Sequence, residues 1–418
     1  MCLYDFLVPA NAARAGAITD VCRTDVANWS IQTIATPEEL LALAPQWQTL
    51  VLESGTNLPF QTWEWSSSWW TYLREDGPGV RDLLRVSVVR SAAGKVIGIA
   101  PLMLTERPSV GPLRLRTLQF IGADPKITEL KSLICHPDEA HRCYAAIQAH
   151  LARTSAEWDW MNWDACEPGL LNSVRTPLLD VQSDSGYVLA LAPTWQQLNQ
   201  GFRRNIKESL RHCYNSLTRA GLTFQLDVLE APPDIAQGLP NFFRLHAARA
   251  ALTGVPVHPD VFVSPQAQAF LTDVCLRLAE RGAAKLFQLR VDGTVVATRV
   301  AFEMANSLYM YYSGWDPAYG KYSVMTTLHA EIIQHAIARG LSTVHLSTGK
   351  DESKTRWGAH ETRYVSGVQL SPRLSSRAKY GAYQAGQRLG LAETARAIAP
   401  PHFVRRSTPG ETVLAVLS

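Results

Sequence analysis

Chemically useful side chains are concentrated between residues 308 and 357. A strand-like run with three tyrosines leads into Gly314–Ser323, which reads GWDPAYGKYS and brings the chain to a helix predicted to begin at Ser323. The start of a helix offers unpaired backbone N–H groups and a partial positive charge, so it suits a pyrophosphate or a carboxylate. Lys321 lies just before it and would add a full charge. The same spacing also fits an ordinary helix capped by Ser323.

A second group of charged side chains follows that helix. A predicted strand at Thr343–Ser347 leads into the loop Thr348–Gly358, TGKDESKTRWG. The charged residues of the loop are Lys350, Asp351, Glu352, Lys354 and Arg356. Loops beyond buried strands often carry ligand-handling groups, although this composition also fits a solvated turn. The loop is not a P-loop, because Asp351 stands where a Ser or Thr is needed and no glycine lies five residues before Gly349.

Size and composition narrow the class of protein. The chain has 418 residues, 46% of them hydrophobic, and a net charge of +3, which predicts about two folded domains and no disordered class. No apolar run approaches the roughly 18 residues of a membrane-spanning helix, and no signal peptide is apparent, so we expect a cytoplasmic protein. The seven cysteines are scattered and form no Cys-x-x-Cys pair, and the sequence has no His-Glu-x-x-His. We therefore expect neither a disulfide framework nor a metal site.

Hydrophobic periodicity predicts the same order of elements in each half of the chain. In the first half these are a hairpin at Leu83–Arg90 and Val96–Leu104, a strand at Leu113–Ile121, a helix at Glu139–Arg153 and a strand at Trp158–Trp163. In the second half they are a hairpin at Ala284–Val291 and Thr294–Glu303, a strand at Leu308–Ser313, a helix at Ser323–Arg339 and a strand at Thr343–Ser347. The order predicts duplication of one α+β unit; because the two sequences do not match well, chance recurrence of common elements is the alternative.

Four segments follow from this pattern. They are a flexible arm at 1–28, lobes at 29–190 and 191–371, and a basic helical tail at 372–418. The basic residues of the tail are Arg373, Arg377, Lys379, Arg388, Arg396, Arg405 and Arg406. Such a tail fits peripheral contact with an anionic membrane or a biosynthetic complex, and it equally fits a solvated helix face.

Several segments of the sequence together carry a family resemblance. They are LPFQTWEWSSSWWTYL (Leu58–Leu73), FRRNIKESLRHCYNSLTRAGLTFQL (Phe202–Leu226), NFFRLH (Asn241–His246), LFQLRVDGTVVATRVAF (Leu286–Phe302), YMYYSGWDPAYGKYS and STGKDESKTRWG. In this order and spacing they resemble the CelD/BcsL-type acetyltransferases of the GNAT superfamily, relatives of the FemAB peptidoglycan aminoacyltransferases. The resemblance implies an α+β fold of two tandem GNAT-like lobes, each a mixed, mostly antiparallel sheet flanked by helices, with catalysis in the second lobe.

The resemblance implies direct transfer of an acyl group from acetyl-CoA or another acyl-CoA to an amine, with an acyl-carrier-protein thioester as a further possible donor. The thioester would lie where two strands splay apart, and the strand Leu308–Ser313 would supply a backbone N–H to its carbonyl. A base must accept a proton from the amine, and the candidates are Asp316, Asp351, Glu352 and His345. Lys354 matches a lysine of the family and would bind an anionic group or a developing oxyanion, while Tyr311 or Tyr319 would return a proton to the thiolate.

We expect two binding sets. The cofactor-binding candidates are Tyr312, Ser313, Lys321, Tyr322, Ser323 and Val324, and the substrate-binding candidates are Arg203, Lys207, Tyr319, Asp351 and Trp357. One departure concerns the cofactor: Val324-Met325 replaces the Pro-Gly that is common after the helix-starting Ser, and without glycine a backbone approach to phosphate is harder.

Each of these assignments has a structural alternative. The alternative for His345 is a hydrogen-bonded histidine of the core, and for Asp316 it is a turn residue before Pro317. For Trp357 the alternative is a residue that only packs. Arg203 and Lys207 also fit a solvated helix face. For the whole chain, the rival functions are a FemAB-like transferase that uses aminoacyl-tRNA and a catalytically silent GNAT-like partner module in polysaccharide synthesis. The favoured acceptor is a small-molecule or glycan amine, with an amino sugar of exopolysaccharide or cellulose-related synthesis as the kind that relatives suggest.

Overall fold

Two β-sheets form the framework of the molecule. In a computed structural model the chain is described over residues 29–388, apart from 110, 112–113, 125–126, 175 and 253–257. The strands are β1 (Ser30–Ile34), β2 (Arg81–Leu84), β3 (Val86–Arg90), β4 (Val96–Ala100), β5 (Leu102–Arg107), β6 (Leu115–Phe120), β7 (Ile134–Cys135), β8 (Trp160–Cys166), β9 (Leu179–Ala190), β10 (Phe224–Leu229), β11 (Ala284–Val291), β12 (Thr294–Met304), β13 (Ser307–Trp315), β14 (Thr343–Thr348) and β15 (His360–Leu370). The α-helices are α1 (Pro37–Ser54), α2 (Trp63–Tyr72), α3 (Ala140–Arg153), α4 (Pro168–Leu171), α5 (Trp195–Gly201), α6 (Arg204–Arg219), α7 (Pro232–Ala250), α8 (Pro265–Ala279), α9 (Val324–Ala338), α10 (Glu352–Thr355) and α11 (Leu374–Arg388).

The larger sheet has 11 strands in the order β10-β11-β12-β13-β14-β9-β15-β8-β6-β5-β2, and the smaller has the order β1-β3-β4-β7. Neighbouring strands are antiparallel except in two pairs, β6 with β8 and β13 with β14. The fold is therefore α+β, with mixed, mostly antiparallel sheets flanked by helices, and this prediction is confirmed.

The two parallel pairs mark the internal repeat. Each pair is joined by a crossover helix, as parallel strands require: α3 connects β6 to β8, and α9 connects β13 to β14. An antiparallel hairpin precedes each unit, β3–β4 in the first half and β11–β12 in the second. This repeated order supports duplication rather than chance recurrence of common elements.

Two features of the sheets differ from the sequence-based expectation. The strands predicted at Leu83–Arg90 and Val96–Leu104 are each interrupted, at Arg85 and Pro101, where the chain passes from one sheet to the other. The missed strand β9 pairs with β14 of the second half, and β15 pairs with both β9 and β8 of the first half. The sheet thus runs unbroken through the two predicted lobes, and the division at 190/191 stays a prediction.

The two faces of the second-half sheet are covered by different helices. Leu308 and Met310 of β13 pack in one core cluster with residues of α6 and α9, whereas Tyr309 and Tyr311 pack in another with α2, α7 and α8. Helix α7 lies directly on β13, because a Cβ added at Gly314 would come within 2.3 Å of the His246 backbone nitrogen. This close approach places α7 side chains beside the end of β13.

The helix of the basic tail is held against the first half. Arg373 and Lys379 contact the fully buried carboxylate of Asp159, at 3.1 and 2.9 Å. These two basic residues therefore serve an internal ion pair, while the predicted arm at 1–28 and residues 389–418 of the tail lie outside the described part of the chain. Within the described part of the chain, no helix combines the length and apolar character needed to cross a membrane.

Candidate functional site

The strands β13 and β14 run together for only three residue pairs. Ser307, Leu308 and Tyr309 pair with Thr343, Val344 and His345, respectively. Both strands continue, β13 to Trp315 and β14 to Thr348, yet no later residue of these two fully described strands pairs with the other. The strands therefore separate after Tyr309 and leave a gap with free backbone edges, in the place where the family resemblance puts the thioester.

A β-bulge lies in the pairing of β13 with β12, along the edge of β13 away from the gap. Arg299 of β12 pairs with Ser313 and Ala301 pairs with Met310, so Tyr311 and Tyr312 together oppose one residue of β12. Bulges bend a strand and re-aim its side chains, and they are common beside active sites. Here the bulge begins two residues after the last pair with β14.

The hydroxyl groups of the β13 tyrosines are already engaged. Tyr311 is 2% exposed and donates a hydrogen bond of 2.6 Å to the Ile127 carbonyl. Burial, together with nearby acidic groups, raises the pKa of Tyr311 well above its usual value. Tyr309 donates to the Glu129 carboxylate at 2.6 Å. The structure thus places Tyr311, the predicted proton donor, in the core rather than with a free hydroxyl in the gap.

Glu129 bridges the two separating strands, and sequence reasoning missed it. Besides Tyr309 of β13, it accepts a hydrogen bond of 2.7 Å from the Ser347 hydroxyl of β14. The residue is 7% exposed and comes from the irregular segment between β6 and β7 of the first half. No periodicity or motif in the sequence distinguishes it from other loop carboxylates.

Three basic side chains surround the same region. Arg249 of α7 and Arg299 of β12 both donate to the Ser313 hydroxyl, at 2.9 and 3.1 Å, and Arg299 also donates to the Tyr311 carbonyl at 3.0 Å. Lys354 donates to the carbonyls of Thr348 and Gly349, which close the end of β14. We call Arg249, Arg299 and Lys354 the basic cluster.

The members of the basic cluster are close enough to influence one another. Burial lowers the pKa of Lys354; Glu129 and Asp351 oppose this effect, and Arg299 and Arg249 add to it. Burial and the neighbouring Arg249 likewise lower the pKa of Arg299, although a guanidinium keeps its charge at neutral pH. The gap is therefore bordered by closely spaced cations.

The start of α9 is contacted by the loop that follows β14. Ser323 precedes the helix in the left-handed conformation (φ 54°), and its side chain does not cap the helix. The Arg356 guanidinium donates to the Thr326 hydroxyl in the first turn at 3.0 Å, and its buried Nε has no hydrogen-bond partner among the described residues. Val324 is 1% exposed and packs in the core, so its side chain is not spread over the helix start. Lys321 is exposed, with its ammonium 4.9 Å from the Tyr322 ring centroid.

His345 is the predicted base that belongs to the last strand pair, opposite Tyr309. Burial lowers the pKa of His345 to about 4, so the ring is neutral at pH 7. Its Nε2 lies 2.9 Å from the Asn57 amide nitrogen and its ring stacks on Tyr309 at 5.6 Å. The ring nitrogen that could accept a proton is thus occupied by the Asn57 amide, as the structural alternative for this residue required.

The three predicted carboxylates lie in turns. Asp316 accepts from the Ala318 N–H at 3.0 Å, and Asp351 accepts from the Ser353 N–H at 2.7 Å. Burial favours the neutral acid of Asp351, but hydrogen bonds from Ser353 and the charge of Lys354 outweigh it and lower its pKa. Glu352 is exposed on α10. Only Asp351 among them interacts with the basic cluster.

The remaining candidates lie away from the gap or inside the core. Arg203 is exposed at the start of α6, and Lys207 donates to the Gln200 carbonyl at 2.9 Å. Trp357 is 1% exposed and packs edge-on against Phe202 at 5.5 Å. Tyr319 packs 6.2 Å from Tyr322 in the turn before α9. Among the described residues no group of three or more His, Cys, Asp or Glu side chains is arranged to hold a metal ion.

The equivalent gap of the first half is filled by the chain itself. Strands β6 and β8 pair only through Thr117–Trp160 and Leu118–Met161. At the next position Asn162 donates to Gln119 at 3.4 Å across the gap. Further along, the Lys131 N–H donates to the Ala165 carbonyl and its ammonium contacts Asp164 at 2.8 Å. These contacts leave the second-half gap as the candidate functional site.

A family model matches the part of the chain that contains this gap. Residues 201–355 match the family model described as an acetyltransferase (GNAT) domain, a span that contains β13, α9 and β14. None of the curated proteins is a significant match to the chain.

Three solved structures show the fold of similar proteins. The crystal structure of FemX is 10% identical, covers 80% of this chain and 96% of its own, and has a TM-score of 0.52. L-PGS from Bacillus licheniformis (13% identical, 87% and 97% covered, TM-score 0.47) and a tandem GNAT protein from the clavulanic acid biosynthesis pathway (11% identical, 82% and 99% covered, TM-score 0.43) score lower, so only FemX supports the fold assignment. Residues 201–355 are therefore similar to GNAT acetyltransferase domains, and most of the chain has a fold similar to that of FemX.

Proposed function

We propose that the protein transfers an acyl group from an acyl-coenzyme A to an amine in the gap between β13 and β14. The observation that carries this proposal is the end of strand pairing after Tyr309–His345, beside Glu129 and the basic cluster. The match of residues 201–355 to a GNAT domain supports the same reaction class. The division into lobes at 29–190 and 191–371, with a tail from 372, belongs to the same proposal.

The residues at the start of α9 fit the anionic part of coenzyme A. The helix start is not capped by Ser323, Arg356 reaches its first turn with an unpartnered Nε, and Lys321 lies just before it. Backbone N–H groups and a guanidinium together form the kind of site that binds a diphosphate. The family pattern has glycine where this chain has Met325, whose partly buried side chain packs against the core cluster that contains Val324. When bound, the thioester supplies an activated acyl group.

The chain's own groups then account for the transfer. Backbone N–H groups of β13 beyond Tyr309 are released from pairing with β14 and can stabilise negative charge on the acyl oxygen. We propose Glu129 as the group that takes a proton from the acceptor's ammonium, since it contacts both strands where they separate. The neutral amine then attacks the thioester carbonyl, the C–S bond breaks, and coenzyme A leaves as its thiol with the second proton of the amine. Lys354 holds the end of β14 in place and balances the carboxylate charge.

The finer identity of donor and acceptor comes from the CelD/BcsL-type resemblance. It supports acetyl-CoA, or another acyl-CoA, as the donor and an amino sugar of exopolysaccharide or cellulose-related synthesis as one acceptor, in the cytoplasm. An aminoacyl-tRNA donor would instead require many phosphate contacts and a binding constant that falls steeply with salt.

The test measures binding and turnover separately. Calorimetry with acetyl-CoA should show one site, and Arg356→Gln should weaken binding about tenfold, the effect of one charged hydrogen bond. Arg204→Gln is the matched control, because Arg204 lies exposed at the start of α6 and pairs only with Glu208. Thiol release with a panel of amines should then identify acceptors. Absence of binding by every acyl-coenzyme A, or salt-sensitive binding of aminoacyl-tRNA alone, would overturn the proposal.

A further inference from the structure

Two arginines of the basic cluster converge on one hydroxyl without a carboxylate partner. Arg299 is 9% exposed and Ser313 is 1% exposed, so both groups are removed from water. Among the described residues neither Arg249 nor Arg299 has an ion pair within 4.0 Å, and the buried Nε of Arg299 has no hydrogen-bond partner. A buried guanidinium is costly unless an anion and hydrogen bonds compensate it. The two guanidinium groups thus lack a directly paired anion, and the charges of Glu129 and Asp351 act on them only from a greater distance.

The charge of the site matches a single negative charge. Arg249, Arg299 and Lys354 are positive, whereas Glu129 and Asp351 are negative, which leaves one positive charge in excess. The pKa of His246 is lowered, mainly by burial, and the same holds for the pKa of His258 and of His329. These three histidines face the cluster as neutral rings at pH 7. A monoanion would therefore neutralise the site, and a phosphate dianion would not.

The anion site and the start of α9 are held by different arginines. Arg249 and Arg299 donate to the Ser313 hydroxyl, whereas Arg356 donates to Thr326 in the first turn of α9. If the donor diphosphate is held by Arg356 at α9, the arginine pair is left for the acceptor. Ser313, where the two arginines meet, follows the last β13–β14 pair by only four residues.

We propose that the acceptor amine carries a carboxylate, and that Arg249 and Arg299 bind this carboxylate at Ser313. The proposal rests on the proposed acyl transfer and narrows its acceptor to amino acids, short peptides or amino sugars that bear a carboxylate. A planar arginine fork matches a carboxylate through paired hydrogen bonds, which explains why arginine rather than lysine occupies both positions. A neutral amino sugar would leave the pair unsatisfied.

The decisive experiment measures acceptor binding without any acyl donor, so that its outcome does not depend on turnover. The full chain is titrated by calorimetry with amino acids, dipeptides and 2-amino-2-deoxyglucuronic acid. The matched neutral probes are the corresponding amides and glucosamine, and phosphoethanolamine tests a dianion. We expect at least one carboxylate probe to bind tenfold or more tightly than its neutral partner.

Variants then assign the binding to the arginine pair. Arg249→Gln should remove the preference for the carboxylate, and Arg249→Lys should restore only part of it. Arg244→Gln is the control, because Arg244 is exposed on the same helix and donates only to the Val295 carbonyl. Thermal unfolding of each variant checks the fold; Arg249 is half-buried, so its replacement is less disruptive than that of Arg299.

Three results would overturn the inference: equal binding of acid and amide, no carboxylate-dependent binding across the panel, or preference for phosphoethanolamine. Acyl-coenzyme A binding that persists in any of these cases would leave the proposed transfer standing and remove only the carboxylate requirement. Loss of acyl-coenzyme A binding with retained binding of the carboxylate acceptors would remove the proposed transfer and leave the carboxylate site standing.

Discussion

Replacing Glu129 by glutamine should distinguish the role of this residue in turnover from its role in stabilising the fold. The side chain keeps its size and one carbonyl oxygen, but its amide nitrogen can no longer accept hydrogen bonds or a proton. Tyr309 and Ser347 both donate to the present carboxylate, at 2.6 and 2.7 Å. Since hydrogen bonds to a charged group contribute about 1.5–3 kcal/mol each, loss of one should cost about 2 kcal/mol of unfolding free energy.

The expected effect on turnover is much larger than the effect on folding. A positioned base accelerates proton transfer by about 10²- to 10⁴-fold, so the Glu129→Gln rate should fall by that factor while acyl-coenzyme A still binds at α9. Ser347→Ala is the matched control. It removes a hydrogen bond to the same carboxylate, costs a similar ~2 kcal/mol of stability, and leaves the base in place.

The assay is continuous thiol release at saturating donor and acceptor, with urea unfolding of each variant alongside. A Glu129→Gln protein that unfolds as expected but turns over within threefold of the parent would refute the role of Glu129 as base. Equal rate losses in Glu129→Gln and Ser347→Ala would assign the residue to holding the strands apart.

Three further predictions concern stability. Gly314→Ala should destabilise the protein by about 3 kcal/mol or more in urea unfolding, because the added Cβ would meet the Leu245–His246 backbone. Gly381→Ala replaces a helix glycine with open space around the added Cβ, so it should stabilise the protein by roughly 0.5–1 kcal/mol. A similar loss of stability in both variants would contradict the close approach of α7. The pKa of His345 is about 4 in the folded protein and about 6.5 in the unfolded chain, so the stability that its neutral ring contributes is fully present above pH 6.5. This stability is lost as the pH falls towards 4, by at most about 3 kcal/mol. His345→Gln should flatten this part of the plot of unfolding free energy against pH, and an unchanged slope would contradict the prediction. Asp159→Asn should lower the free energy of unfolding by about 3–5 kcal/mol and make α11 susceptible to limited proteolysis, because Arg373 and Lys379 lose their buried partner. An α11 that stays resistant to protease in this variant would argue against the role of Asp159 as its anchor.

The parts of the site that follow from local pattern could be predicted from the sequence. The second hairpin, β13, α9 and β14 lie within two residues of their predicted bounds, because alternation, helical spacing and the Asp292-Gly293 turn are strong local signals. These elements fix where the gap opens.

The side chains that border the gap could not be predicted in this way. Glu129 reaches Tyr309 across 180 residues of sequence, and Arg299 lies in a strand whose pattern indicates only a buried hairpin. Strand β9 was missed because its polar residues, including Asp180 and Asp184, disfavour a strand and leave no clear alternation. Such features are set by tertiary contacts, which a single sequence does not display.

The most direct measurement is a crystal structure of the protein with a non-hydrolysable thioether analogue of acetyl-coenzyme A. The thioether sulfur is expected between residues 310–313 of β13 and residues 346–348 of β14, with the diphosphate on the first turn of α9 beside Arg356. Binding of the analogue elsewhere, or a gap that stays closed to it at saturating concentration, would contradict acyl transfer at this site.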